Sequence, residues 1–163
     1  MEWIGRLARA DASALDIAMG RGRHALPLAR AGFRTFGVDA AVDVTRDTAR
    51  AARDAGTPIL AWCADLTSYP LPVARFDLVL VTRYLQRDLF PAIRRAVKPG
   101  GIVLYETFTV RQRTLGTGPT SPEHLLREGE LRGCFEDFEI VFDEEVTSPE
   151  AVARIVARRS RSG

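Results

Sequence analysis

Apolar residues gather into five short runs bounded by turn residues, at positions 13–18, 34–38, 58–63, 76–81 and 101–105. Runs of this length and near-continuous apolar character predict strands covered on both faces. Between them the apolar positions recur at helical spacing. Ala25, Leu28 and Ala29 share one face before Gly32; Val44, Thr48 and Ala52 do so more weakly; Leu85, Leu89, Ile93 and Val97 repeat every four residues. Strand and helix therefore alternate, and the links are too short to hold anything else. This predicts a doubly wound α/β fold, a parallel sheet with right-handed crossovers.

After Glu106 the pattern changes. The stretch TFTVRQRTLGTGPTSPEH is long, polar and rich in Thr and Gly, which predicts a loop lying over something. Ser121, Pro122 and Glu123 read as an N-cap, a first helical position and a dipole-complementing acid, opening a short broken helix through Leu131. Phe138, Ile140 and Phe142 alternate with polar or smaller neighbours, and residues 152–157 give another apolar run, predicting an antiparallel strand pair at the sheet edge. The sum is a seven-stranded, mostly parallel sheet with an antiparallel last strand. The basic end RRSRSG reads as frayed.

At 163 residues, 46% hydrophobic and 27% charged, the chain is expected to form one domain over residues 1–163. No apolar run reaches the roughly 18 residues of a membrane span, and MEWIGRLARAD lacks the apolar centre of a signal peptide, so a cytoplasmic protein with no membrane partner is expected. Cys63 and Cys134 have no metal-type spacing and there are two histidines, which argues against structural zinc and disulfides. The net charge of +2, with Lys98 the only lysine, gives no reason to expect a nucleic-acid partner.

The chemistry concentrates in ALDIAMGRGRHALPLARAGFRTFGVDAA. A buried strand ends at Ala18, the chain turns through Gly20 and Gly22, and a helix begins near Arg23. Glycines suit a turn that needs unusual backbone angles and a ligand that approaches the main chain closely. Gly20-x-Gly22-x-x-Ala25 also satisfies the dinucleotide fingerprint, so an NAD-binding oxidoreductase is one candidate. Three acids narrow the choice. Asp16, inside the end of the first strand, suits a cationic or amino-bearing ligand. Asp39, ending the second, suits a carboxylate that accepts both hydroxyls of a ribose. Asp65, ending the third, could accept a proton from an exocyclic adenine amine. Each has a plainer reading as a helix cap or a solvated loop acid, but all three fall on the carboxyl edge, where open α/β sheets bind ligands.

The segments LDIAMGRGRHAL, GVDA around Asp39, CADL around Asp65, FDLVLVTRYL and VKPGGIVLYETF together resemble the class I S-adenosylmethionine-dependent methyltransferases, from Leu15 to the final strand. GRGRHALPLA, ETF, GPTSPEHLL and GEL look most like small bacterial members of the tellurite-resistance and thiopurine methyltransferase group. The resemblance implies a Rossmann-like fold, S-adenosylmethionine as cofactor and a small-molecule methyl acceptor. It implies that Asp16 and the Gly20 to Gly22 turn hold the methionine moiety, Asp39 the ribose, and Asp65 with the Leu66 backbone the adenine. Arg21 would pair with the cofactor carboxylate, Ala40 and Ala41 would lie beside the adenosine, and Thr82, Arg83 and Tyr84 would face the methyl-transfer site. Ala18 stands where the family has its first glycine, and Met19 follows where a smaller residue is common. Only residues 1–10 precede the first strand; Trp3, Ile4 and Leu7 fit one short helix. The pocket is then open, or closed by the loop after Glu106 or by a second copy in a homodimer.

Methyl transfer from a sulfonium needs the three reacting atoms held in line and few chemically active side chains. An ionised thiol or an oxyanion of tellurium or selenium needs no general base; a hydroxyl acceptor does. Tyr84, Glu106 and His124 are the candidates. Against them stand a core-capping tyrosine, a turn-satisfying glutamate and a surface histidine. His24 reads as a local packing residue. Arg111, Gln112 and Arg113 suggest a loop that favours an anionic acceptor. VTRY after the fourth strand is not the Asn/Asp-Pro-Pro-aromatic sequence of the DNA amino methyltransferases. A non-catalytic S-adenosylmethionine-binding module is the remaining alternative.

Overall fold

The computed structural model describes residues 11–161. The helix expected from Trp3, Ile4 and Leu7 lies outside them. The elements run β1 (Ser13–Ile17), α1 (Ala25–Arg30), β2 (Arg34–Asp39), α2 (Val42–Asp54), β3 (Leu60–Cys63), β4 (Phe76–Thr82), α3 (Phe90–Ala96), β5 (Val97–Phe108), α4 (Glu130–Gly133), β6 (Glu139–Val146) and β7 (Val152–Arg158). One seven-stranded sheet is ordered β3-β2-β1-β4-β5-β7-β6. Its first five strands pair in parallel, and β7 runs antiparallel to both β5 and β6.

The alternation of side chains along the central strands separates two apolar layers. Leu15, Ile17, Val79, Val81, Val103 and Tyr105 pack on one face, under Phe90 and Ile93 of α3 and Phe135 after α4. Ala14, Leu78, Leu80 and Ile102 point the other way, under Leu28 of α1. Double cover explains why every residue of β1 is buried. It fails at β3, an edge strand with Leu60 47% exposed, so the expectation of two covered faces holds for the centre of the sheet and not for its rim.

The two motifs FD and KPGG meet physically. Lys98 Nζ lies 2.8 Å from Asp77 Oδ2, which also accepts the backbone N–H and hydroxyl of Ser13 at 2.8 and 2.9 Å. Phe76 pairs with Val97 and Leu78 with Ile102, so β5 bulges around Asp77. Gly101 sits in that bulge, where a Cβ would lie 3.0 Å from the Asp77 carbonyl oxygen. KPGG is thus a bulge inside a strand rather than a turn before one. Val97, whose spacing put it on the preceding helix, begins β5, and Leu85 precedes a 3-10 turn at Arg87–Leu89.

Beyond β5 the chain forms 3-10 turns at Val110–Leu115 and Pro122–His124 before the single turn of α4. The helix expected from Ser121 to Leu131 is therefore two separate pieces, and Ser121 makes no side-chain cap bond. Arg158, expected in a frayed tail, closes β7; Arg159 donates to the Val97 carbonyl at 2.7 Å. Because β7 is antiparallel, Val152 pairs with Phe108, so the β6–β7 connection lies at the carboxyl edge of the parallel strands.

Candidate active site

At that edge the chain leaves β1 through a left-handed turn. Ala18, Gly20 and Gly22 have φ of +54°, +51° and +75°. Ala18 holds a conformation that a glycine would take freely, at a cost of about 1 kcal/mol. The two glycines serve different ends. A Cβ on Gly20 would meet nothing within 4 Å, leaving its surface open, whereas one on Gly22 would lie 2.8 Å from Thr48 Cγ2 of α2. Thr48 also donates its hydroxyl to the Gly20 carbonyl at 3.1 Å, clamping the turn to α2. Met19 is buried against β2, with its Sδ 2.1 Å from where a Cβ on Gly37 would stand.

Asp16 is 1% exposed, and its Oδ2 has no hydrogen-bond partner among the described residues. Burial pushes its carboxyl up to about 7; the Ala25 amide and Arg23 pull the other way, and Asp39 adds to the rise. Asp39 Oδ2 accepts the Gly20 N–H at 2.9 Å and its Oδ1 the Ala41 N–H at 2.9 Å, so Asp39 closes the turn on itself while each oxygen keeps a lone pair. The ends of β2 and β3 are joined by the Ala64 N–H donating to the Asp39 carbonyl at 3.1 Å and by the Cys63 thiol on the Ala40 carbonyl. Asp65 therefore lies beside Asp39. It is fully exposed, and its Oδ1 accepts both the N–H and hydroxyl of Thr67, which hold its carboxyl below the ordinary range. Asp16 and Asp39 stand in adjacent strands, and Asp65, expected to end β3, lies two residues beyond it at the same edge. Ala40 is exposed and Leu66 half-buried there, and Arg21 is exposed in a cleft beside Asp43, Asp47 and Thr48.

Across the edge, Thr82 ends β4 in register with Glu106 of β5. The Tyr84 phenol, raised by burial and then by the charges of Asp65, Asp88 and Asp39, donates to Gln86, and its carbonyl accepts the Tyr105 hydroxyl at 2.8 Å. Glu106 lies within β5 and between two arginines: Arg154 Nε donates to its Oε2 at 2.7 Å, and Arg83 Nε stands 3.4 Å from its Oε1. His124 is exposed on its 3-10 turn. His24 is half-buried, its imidazole pKa lowered by burial and by Arg23 while Glu106 opposes the shift.

Sequence reasoning passed over Glu150, which pairs with Arg83, and Arg23, whose charge acts on both Asp16 and Glu150. Glu150 lies 67 residues from Arg83 in sequence, and no periodicity marks the pair. Within the loop expected to favour anions, Arg111 pairs with Glu128 and Gln112 turns inward, accepting the Ala151 N–H at 2.7 Å and donating to the Thr117 carbonyl at 2.9 Å. Arg113 is exposed.

A family model for the methyltransferase domain matches residues 14–101, more than half of the chain. A ubiquinone biosynthesis O-methyltransferase from Methylobacterium sp. (strain 4-46) is 30% identical over 158 residues, covering 94% of this chain and 61% of that protein. The chain thus spans about three fifths of that relative's length. The solved structure of an S-adenosylmethionine-dependent methyltransferase from Mesorhizobium loti superposes with a TM-score of 0.76 at 20% identity over 93% of both chains. One from Methanosarcina mazei does so with a TM-score of 0.77 at 20% identity over 98% of both. Sequence family and strand order agree, and the chain belongs to the class I S-adenosylmethionine-dependent methyltransferases.

Proposed function

We propose that this chain transfers a methyl group from S-adenosylmethionine to a small-molecule nucleophile. One observation carries the reading: the buried Asp16 carboxyl has an unpartnered oxygen at the foot of a turn whose Gly20 faces open space. An ammonium group is what such an oxygen lacks, and the methionine end of the cofactor carries one. The remaining residues fit the same ligand. Asp39 has acceptor capacity left for the ribose, Asp65 Oδ2 and the Leu66 backbone serve the adenine, and Ala40 offers a small side chain beside it. Ala18 and Gly22 shape the turn, and Arg21 is assigned to the cofactor carboxylate.

The bound cofactor supplies an electrophilic methyl on a sulfonium. The chain's part is to hold it and to bring the nucleophile into line from the side of Thr82, Arg83 and Tyr84. The described candidates for a general base are engaged or exposed: Glu106 lies between two arginines, Tyr84 donates to Gln86, and His124 is exposed on a 3-10 turn. This favours an acceptor that arrives as a soft or ionised nucleophile, such as a thiolate or an oxyanion of tellurium or selenium. The similarity to the ubiquinone biosynthesis O-methyltransferase supports a second reading, a hydroxyl acceptor with Tyr84, Glu106 or His124 as its base. The reading carries with it a cytoplasmic location, with a small molecule rather than nucleic acid or a bilayer as partner. Among the described residues no helix is long and apolar enough to cross a membrane. Whether a second copy closes the pocket is a matter for the mass measured in solution.

Calorimetry with S-adenosylmethionine, S-adenosylhomocysteine and NAD tests the cofactor. The first two are expected to bind and NAD not to; Asp39→Ala should weaken binding by about 1–3 kcal/mol. Binding of NAD alone would favour an oxidoreductase. Incubation with a thiol, tellurite, selenite and a phenol then tests transfer, and cofactor binding with no methylated product from any of them would favour a binding module.

A further inference from the structure

We infer that Arg83 is the recognition residue for the methyl acceptor, that the acceptor is an organic molecule carrying a carboxylate, which selects the thiolate over the tellurium and selenium oxyanions, and that Glu150 occupies the Arg83 guanidinium until that carboxylate displaces it. The inference rests on the methyltransferase reading above.

Arg83 follows the last residue of β4 and has φ of +57°, a conformation that an arginine keeps only where its surroundings over-determine it. Those surroundings are visible. Its N–H donates to the Glu106 carbonyl at 2.8 Å, its guanidinium lies 4.5 Å over the Phe108 ring, and its buried Nε faces Glu106 Oε1 without the alignment of a hydrogen bond. The main chain, the flat face and the inner edge of the guanidinium are thus fixed without Glu150. What Glu150 takes is the outer edge: both of its oxygens accept from Nη1 and Nη2, the paired geometry that a planar fork offers a carboxylate.

The two acids beside Arg83 differ in how they are held. Glu106 is 22% exposed and is also bound by Arg154. Glu150 is 45% exposed and sits on the β6–β7 connection, and Arg83 is its one hydrogen-bonded side-chain partner among the described residues. Arg83 holds the Glu150 carboxyl below the ordinary range, and the half-exposed carboxylate is the side of the pair that a competing anion can reach from water. The pair also borders the proposed cofactor cradle, because Ile17 at the end of β1 pairs with Val81 of β4, so Arg83 leaves the sheet beside the glycine turn. A carboxylate seated on the outer edge of Arg83 would therefore hold its molecule next to the donor.

The test measures binding of benzoate, with benzamide as the uncharged control, to protein saturated with S-adenosylhomocysteine. Wild type, Glu150→Gln and Arg83→Gln are compared by calorimetry or by shifts of the ligand resonances. Benzoate is expected to bind Glu150→Gln at least tenfold more tightly than wild type, to lose that gain when Arg83→Gln is added, and to outcompete benzamide only where Arg83 is present. Equal benzoate affinity in wild type and Glu150→Gln, or a gain that survives loss of Arg83, would overturn the inference. Glu150→Gln carries the test even where Arg83→Gln does not fold. Saturation with S-adenosylhomocysteine is measured first: no saturation in wild type counts against the methyltransferase reading, whereas normal saturation without the benzoate gain counts against the role of Arg83 alone.

Discussion

Asp16 is a carboxyl that the fold holds at a disadvantage, and its cost changes sign when a cation arrives. Burial raises it to about 7, so the ligand-free protein keeps a proton there that the unfolded chain sheds near 4. Stability of the ligand-free protein should therefore fall as pH rises from about 4 through 7. Affinity for S-adenosylmethionine should rise over the upper part of the same interval, because only the ionised acid pairs with an ammonium. Opposite slopes in denaturation and calorimetry series, both flattened in Asp16→Asn, would identify the group; parallel slopes would exclude it. Met19 and Gly37 form a second pair at this scale. Gly37→Ala sets a Cβ on the Met19 sulfur and should cost about 1–3 kcal/mol. Adding Met19→Ala should make the double variant less costly than the sum of the two, by chemical denaturation, since the residues share one space. The sequence made Gly20, Gly22 and the acids legible because backbone freedom and charge are properties of single residues. It could not show that Gly22 is small for Thr48 or that Gly37 is small for Met19, since both are contacts between elements.

Local sequence determined the central strands well and the ends of elements poorly, and the β4–β5 pair shows why. The apolar repeat of Leu85, Leu89, Ile93 and Val97 runs straight through the end of α3. What stops the helix at Ala96 is the bulge that brings Lys98 to Asp77, a contact no periodicity encodes. Asp77 takes two bonds from Ser13 and one from Lys98, and these outweigh the burial that opposes its ionisation, so its carboxyl is held below the ordinary range. A carboxyl lowered in the folded state contributes stability above its unfolded pKa and loses it as pH falls. Asp77→Asn should cost about 1–3 kcal/mol at pH 7, and the difference from wild type should shrink as pH falls below about 4. A gap independent of pH would assign the effect to shape instead of charge. The same limit explains the segment after β5. Its polar, glycine-rich composition marked a loop, but Gln112, grouped in sequence with Arg111 and Arg113 as facing an anionic acceptor, is 1% exposed in the fold, where it ties the loop to Ala151.

Topology gathers the residues proposed to hold the cofactor on one edge of the sheet. Four adjacent strands in the order β3-β2-β1-β4 all run the same way, so Asp65, Asp39, Asp16 and Thr82 come from neighbouring chain ends even though more than sixty residues separate Asp16 from Thr82. The reversal at β7 returns the β6–β7 connection to that edge and brings Glu150 and Arg154 to Arg83 and Glu106. Alternating strands and helices made the parallel half of the sheet readable, and the exposed alternation near Phe142 made the edge pair readable. The place of β7 between β5 and β6 depends on the whole assembly and not on any one segment. The most direct measurement of the central claim is the structure of the complex with S-adenosylhomocysteine. The ligand amino group is expected within about 3.2 Å of Asp16 Oδ2, with the ribose hydroxyls on Asp39. A ligand seated with its amino group away from Asp16, or its ribose away from Asp39, would contradict the account.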